Sequence, residues 1–225
     1  DLLNRIQSDE LIPGSKIPSE MDLAEEYKVS RVTARMAIDK LVEQGKLYRK
    51  QGKGTYIAEN SMPYDLSTMI SFSKIMRSRG HEVYTKVLNQ EIIPTMPELV
   101  DKLMLPQNSE VIQIRRLRYL DGQPAAIHTS YLDASLYKNI LQIDLSKESL
   151  LESIEKLSGT KIAYSKDSVR AGTPSLIDAR LLEIPKGSPV LIVEGVAYCI
   201  GGQPSRFIRS IFRGDKFVFT LINQG

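Results

Sequence analysis

Apolar side chains first fall at helical spacing between residues 20 and 43. Leu23, Ala24 and Tyr27 share one face of a short helix. After Lys28-Val29-Ser30, the residues Ala34, Ala37, Ile38 and Leu41 recur at i, i+3, i+4 and i+7, a single stripe on a second helix. Ser30 is a good N-cap for that helix and Gly45 a stop. Residues 47–50 and 55–57 then read as strands flanking Gln51-Gly52-Lys53-Gly54, a glycine turn of hairpin type. Upstream, Leu2, Leu3 and Ile6 mark the end of an earlier helix over residues 1–9. Pro13-Gly14 turns the chain, and Pro18 with Ser19 starts the next helix. The pattern breaks at Glu59-Asn60-Ser61-Met62-Pro63, a polar, proline-bearing linker. Ser71-Phe72-Ser73-Lys74 opens another helical stretch that ends at Arg79-Gly80, and from Val83 onward strands alternate with helices.

The second region repeats itself. Leu103-Met-Leu-Pro106-Gln-Asn-Ser109-Glu-Val111, followed by Asp121-Gly122-Gln123-Pro124, matches Leu182-Glu-Ile-Pro185-Lys-Gly-Ser188-Pro-Val190, followed by Gly201-Gly202-Gln203-Pro204, with one extra residue at the second turn. Each copy predicts a helix (97–104; 174–183), a Pro turn, a strand, a glycine hairpin and a second strand. Two such units predict a mostly antiparallel sheet with helices on one side, hence an α+β fold. The duplication either builds only a core, or its join also forms a pocket, since ligands favour such joins.

Charge changes the picture most in the first region. From Lys28 to Lys53 there are eight basic residues (Lys28, Arg31, Arg35, Lys40, Lys46, Arg49, Lys50, Lys53) against two acids, Asp39 and Glu43. The whole chain of 225 residues carries only +3. The basic surface is therefore local, as a nucleic-acid footprint on a non-polycationic protein must be. Arg31 and Arg35 lie in the first turns of the second helix, and the acids follow along its solvent face. Such a helix suits entry into a DNA groove by its N-terminal end, which also carries the positive pole of the helix dipole. Lys53, between glycines at the hairpin tip, is placed to approach a phosphate or a minor groove. The spacing points to a winged helix-turn-helix. The other reading, an ordinary solvated face, leaves the glycine hairpin and the end-loaded charge unexplained.

Composition bounds the rest. Hydrophobic content of 42% with 25% charged residues fits a globular protein with a real core. The one cysteine, Cys199, excludes an internal disulfide and a four-cysteine zinc site, and fits a reducing cytoplasm. No run is long enough to span a bilayer and no signal peptide is visible. The chain opens at Asp1 inside a helical pattern, so some native N-terminal residues are expected to be missing. There is no nucleophile–base pairing, metal-ligand cluster or nucleotide loop. An enzyme is therefore not expected, and neither a metal nor a cofactor is.

Period two places Ala126, His128 and Ser130 on one strand face, and Arg116 and Arg118 on one face of the strand before it. Their counterparts in the second copy are Arg206, Ile208 and Ser210, and Gly195 and Ala197. The copies have diverged where polar side chains would point at one another. Arg116, Arg118 and Arg206 are costly in mid-strand if buried alone. Either they are exposed or paired with acids such as Asp167, or they converge on a bound anion through bidentate hydrogen bonds. Ser71 and Ser73, with the backbone amides at their helix start, could add to such a site.

Pro18-Ser-Glu, Ser30-Arg-Val-Thr-Ala-Arg35, Leu41-Val-Glu-Gln-Gly45 and Gly52-Lys-Gly-Thr55 resemble the winged-helix domain of GntR-type transcriptional regulators. Ser71-Phe72 with Met76-Arg-Ser-Arg-Gly80, Arg116-Leu-Arg118, Asp121-Gly-Gln-Pro124 and Phe212-Arg-Gly-Asp215-Lys-Phe resemble the UTRA effector domain of the HutC branch, which has a chorismate-lyase-like fold. The resemblance spans nearly the whole chain. It implies a DNA-binding domain over 1–58, a linker over 59–64 and an effector-binding and dimerisation domain over 65–225. It implies a homodimer on palindromic double-stranded operator DNA, more often a repressor, released by a small metabolite such as a sugar phosphate or acidic sugar derivative. The implied DNA contacts are Glu20, Ser30, Arg31, Thr33, Arg35, Gly52, Lys53, Gly54 and Thr55. The implied effector contacts are Ser71, Phe72, Ser73, Arg116, Arg118, His128, Arg206 and Phe212. Three positions depart from the pattern. Met21 stands where a basic residue is common, and His128 and Arg206 stand where sugar-phosphate-binding relatives often have acids. The last two disfavour an amino sugar and favour a more anionic ligand. An enzyme of chorismate-lyase-like fold with a DNA-binding arm is the rival reading.

Overall fold

The computed structural model describes residues 2–7, 14–43, 46–50, 52–57, 62–65 and 71–220. It divides into two compact units, 1–62 and 63–225. The expected stops and turns at Pro13, Gly45 and Gln51, the end of the first helix at residues 8 and 9, and linker residues 59–61 lie outside the described residues.

The first unit contains α1 (Leu2–Gln7), α2 (Glu20–Glu26), α3 (Arg31–Glu43) and the antiparallel hairpin of β1 (Leu47–Lys50) and β2 (Gly54–Ile57). Ser19 starts α2 with a capping box: its hydroxyl accepts from the Asp22 N–H, and the Asp22 carboxylate accepts from the Ser19 N–H. Ser30 caps α3, its Oγ accepting from Thr33 N–H at 3.1 Å. Ala34, Ile38 and Leu41 pack against Leu23, Ile17, Leu47 and Ile57. Ala37, expected in that stripe, is exposed. It lies at the margin of the stripe, where a methyl group has little to bury. Residues 14–17 run along β2, with Ile17 N–H donating to Thr55 O and Ile57 N–H to Ser15 O.

The second unit continues with β3 (Met62–Asp65), α4 (Phe72–Ser78), β4 (Val83–Pro94), α5 (Pro97–Leu103), β5 (Glu110–Leu120), β6 (Gln123–Asp133), α6 (Ala134–Tyr137) and a 3-10 turn (Lys138–Gln142). It ends with α7 (Leu150–Ser158), β7 (Ile162–Gly172), α8 (Leu176–Leu181), β8 (Val190–Cys199), β9 (Pro204–Arg213) and β10 (Phe217–Thr220). Residues 62–64 of the expected linker are thus strand, because β3 pairs with β10. The main sheet has the order β4-β5-β6-β9-β8-β7, and its neighbours are antiparallel. The two sequence repeats are the β5–β6 and β8–β9 hairpins, and β6 meets β9 at the seam. Each repeat also includes an edge strand, β4 or β7, that sequence similarity did not reveal. Asp121 and Gly122 both take positive φ in the first turn (50° and 79°), the two-residue form that matches strand twist.

The helices lie on both faces of the sheet, not on one. The repeat helices α5 and α8 cover one face: Leu99, Leu103 and Leu105 pack on Val111, Tyr131, Val196 and Phe207, and Leu182 packs on Leu117 and Ile127. The opposite face carries α6, the 3-10 turn and α7, whose Ala134, Tyr137, Ile140, Leu150 and Ile154 meet Ile112, Ile114, Leu132 and Ala197. These extra helices belong to the long connection between the copies, so the repeat could not announce them. They cover only part of their face, and the uncovered part bears the arginines.

Candidate functional site

That uncovered part is the floor of a cavity of about 130 Å³ whose lining includes all eight residues expected to meet an effector. By the same measure a water needs about 10–15 Å³, so the cavity holds roughly ten waters, or about 300 Å³ of liquid. A small metabolite fits; a folded peptide does not.

The strand register explains the convergence. Arg116 pairs across to His128, and His128 to Ser210; Arg118 pairs to Ala126, and Ala126 to Phe212. These two rows lie side by side on one face. At one end α4 closes over them. Arg118 Nη2 donates to Ser73 Oγ, and its guanidinium stacks 4.9 Å from the Phe72 ring centre. Ser71 is the N-cap of α4, accepting from Lys74 N–H at 3.3 Å. Phe72 lies edge-on to His128 at 5.1 Å. Tyr64 of β3 closes the aromatic wall against Phe72, Phe212, Phe217 and Phe219. At the other end Arg206, opposite Ala197, reaches in beside the start of α7, where Ser149 is the N-cap.

The site is electrically unbalanced. Arg116 and Arg118 are 6% and 3% exposed, and among the described residues no carboxylate pairs with either of them or with Arg206. The Nε atoms of all three are buried without a hydrogen-bond partner, as is His128 Nε2. Burial, reinforced by Arg118 and Arg206, lowers the Arg116 pKa well below its ordinary value. Burial brings that of Arg118 down to about 10. An arginine stays protonated even so, and the strain is carried by the fold. His128 is held neutral by burial first and by the three arginines second. Burial pushes Tyr64 up to about 12. Asp167, the acid that might have balanced the arginines, accepts instead from Ser165 Oγ at 2.6 Å and is exposed.

Unpaired buried guanidinium groups cost several kcal/mol each. An oxyanion between them would recover much of that cost through charge-assisted bonds. Among the described residues no group of three or more His, Cys, Asp or Glu is arranged to hold a metal. Sequence reasoning missed Tyr64, Glu148 and Ser149 in the lining. Ser149 was within reach, since Ser149-x-x-Glu152 is an N-cap signature; Tyr64 had no local signal.

In the first unit, Ser30, Arg31, Thr33 and Arg35 gather at the N-terminal end of α3, all exposed. Thr33 Oγ1 lies 2.8 Å from Ser30 Oγ. Val32 and Met36, each 67% exposed, share that face and were not anticipated. Glu20 acts as a counter-ion, 3.5 Å from Arg31 Nε and 3.6 Å from Arg49 Nη2. Asp39 binds Arg49 at 2.6 Å and lies 4.0 Å from Arg35. Gly52 and Gly54 have φ of 71° and 119° at the hairpin tip, with Lys53 exposed between them. Thr55, opposite Arg49, is half-buried. A Cβ on Gly54 would come within 2.5 Å of Lys16 Cε, so Lys16 is a further basic residue at the wing. Among the described residues no helix is long and apolar enough to cross a membrane.

Residues 1–57 match the family described as bacterial regulatory proteins, gntR family, and residues 78–218 match the UTRA domain. The chain is 30% identical over 218 residues to the HTH-type transcriptional repressor NagR of Bacillus subtilis, covering 97% of this chain and 89% of that protein. It is 31% identical over 222 residues to the mannosyl-D-glycerate transport/metabolism system repressor MngR of Escherichia coli, covering 98% and 91%. The crystal structure of PhnF from Mycobacterium smegmatis superposes with a TM-score of 0.75 at 24% identity, covering 99% of this chain and 97% of that one.

Proposed function

Because the chain belongs to the GntR family of bacterial regulatory proteins and carries a UTRA domain, a DNA-binding regulator rather than an enzyme, we propose that it represses transcription until a small anionic metabolite occupies the arginine-lined cavity. The observation that carries this reading is the set of buried guanidinium groups with unpartnered Nε atoms around one cavity. A sugar phosphate or acidic sugar derivative suits its size and charge. The relatives named as repressors of sugar-related systems support the same direction.

Residues 1–58 would read DNA and the unit from β3 onward would bind the metabolite and dimerise, joined through 59–61. Two copies would set their α3 helices in successive major grooves of a palindromic operator, roughly 34–36 Å apart. Arg31 and Arg35 would contact bases and phosphates, Ser30 and Thr33 phosphate, and Gly52-Lys53-Gly54 with Thr55 the backbone beside the minor groove. Glu20 and Asp39 would release their arginines to the DNA as they bind. The metabolite would act on DNA binding only so far as it binds one arrangement of the dimer better than the other.

The test is a thermal-shift screen of phosphorylated and acidic metabolites on the full chain, followed by a gel-shift with operator DNA. A stabilising anion that releases DNA supports the reading. If only neutral or cationic sugars stabilise the protein, and do so equally in an Arg118→Gln variant, the reading fails.

A further inference from the structure

The arginines stand at two separate places in the cavity. Arg118 lies in the Phe212 row beneath α4, tied to Ser73. Arg206 lies six residues from Phe212 on β9, on the same face by period two, near the start of α7. At about 3.4 Å per residue these rows are about 20 Å apart along the strand. Arg116, His128 and Tyr64 each feel both Arg118 and Arg206. Arg116 therefore stands between two cationic ends. Charge-assisted bonds reach only about 2.7–2.9 Å, so a ligand with an anionic group at each end meets both guanidinium groups without drawing side chains from rows this far apart to one point. Whichever end a single anion took, a guanidinium with a buried, unpartnered Nε would remain at the other.

The acids at the Arg206 end do not remove this demand. Burial lowers the Arg206 pKa, and Asp167 offsets this only in part through space; it forms no ion pair with Arg206 among the described residues, and its Oδ2 is taken by Ser165. Asp167 and Glu148 are both exposed, so water screens them, while the Arg206 Nε is out of water's reach. Between the ends, neutral His128 and Ser210 offer hydrogen bonds without charge, which suits hydroxyl groups.

We propose that the ligand carries two separated anionic groups on a short hydroxylated backbone, one held by Arg118 with Ser73 and the other by Arg206, with Arg116 shared between them. A phosphorylated sugar acid or a sugar bisphosphate has this chemistry. The inference rests on the proposed function, since it concerns the metabolite that the same cavity takes.

Matched probes test it by calorimetric titration of the full chain. Glucose 6-phosphate and 6-phosphogluconate share a carbon count and differ in the second anion, as do fructose 6-phosphate and fructose 1,6-bisphosphate. The doubly anionic member of at least one pair is expected to bind tenfold or more tighter than its partner. Arg206→Gln should erase that preference, costing the doubly anionic member far more than the singly anionic one. Arg118→Gln should weaken both members. Arg206→Lys, which keeps the charge, should retain part of the preference, and the melting temperature of each unliganded variant verifies folding. Equal binding within both pairs would overturn the second anion and leave the proposed function standing. The same holds if Arg206→Gln weakens both members alike. If no anionic probe binds at all, the proposed function and this inference fall together.

Discussion

Replacing Arg116 with methionine should make the unliganded protein more stable and the ligand unable to stabilise it further. The side chain is 6% exposed, pairs with no acid among the described residues, and leaves its Nε unpartnered. Methionine keeps an unbranched stem of similar reach and removes the charge. Replacing buried charged groups by apolar residues of similar shape yields about 1–4 kcal/mol. A gain of about 2 kcal/mol in a unit spanning 63–225 should raise its melting temperature by about 4–8 °C. The wild-type protein should gain about 2.7 kcal/mol from a ligand at a hundred times its dissociation constant, and the variant little of that. Scanning calorimetry with and without the best anion from the screen measures both quantities on one sample, with the two units read as separate transitions where they resolve. If Arg116→Met lowers the melting temperature by several degrees, Arg116 is a structural brace and the argument from its unmet charge is wrong.

Other consequences follow from the same geometry. His128 is held neutral well below its ordinary value of 6.5, so the unfolded chain binds the extra proton; stability is full above pH 6.5 and falls as pH drops below it, by on the order of 1 kcal/mol at pH 5.5. His128→Asn should flatten the melting curve against pH between 6.5 and 5, and an unchanged slope would assign the fall elsewhere. That window lies above the one for Glu98 and Glu155, whose pKa values lie below 4.5 because of Lys102 and Lys161; their contribution is lost only as pH falls below that value. Arg31→Ala should weaken operator binding by about 1–3 kcal/mol in gel-shift titration at fixed salt, with the melting temperature unchanged. Gly54→Ala should destabilise the first unit more than Gly52→Ala, since a φ of 119° lies far outside the left-handed region that L-residues visit at about 50–70°, while 71° lies at its edge; the nearby Lys16 side-chain end can move aside. Equal unfolding midpoints for the two variants would contradict this difference in backbone strain.

Local signals made much of the chain legible. Ser30 as a cap, the Ala34/Ile38/Leu41 stripe and the Gly52–Gly54 turn each depend on neighbours within a few residues, and each appears where expected. The strand faces of Arg116, Arg118 and His128 also followed from period two alone. What could not be read was long-range. Tyr64 enters the cavity wall only because β3 pairs with β10, which is distant in sequence. Neither edge strand, β4 or β7, kept enough likeness to show that the repeat began earlier. The helices on the second sheet face come from the connection between copies. Arg49 was visible as charge, but not as the residue that bridges Glu20 and Asp39.

The most informative signal was the failure of the two copies to match. A duplication places equivalent positions on either side of the β6–β9 seam, so an arginine at 116 has a formal twin at 195. That twin is glycine. A Cβ there would come within 1.7 Å of the Asp167 carboxylate, so the space an arginine would need is already filled by the acid of the neighbouring strand. In the other direction Ala126 answers Arg206. Arginine in both copies at all three positions (116/195, 118/197 and 126/206) would set six buried cations against one another, and no fold of marginal stability could hold them. Two arginines in the first copy and one in the second, at non-equivalent positions, give a cavity with cations at both ends but with unequal surroundings: aromatic and serine-capped beneath α4, acid-flanked near α7. A ligand with distinguishable ends then has one orientation of lowest energy. Symmetry built the sheet, and its breakdown at these three pairs of positions gives the cavity two unlike ends.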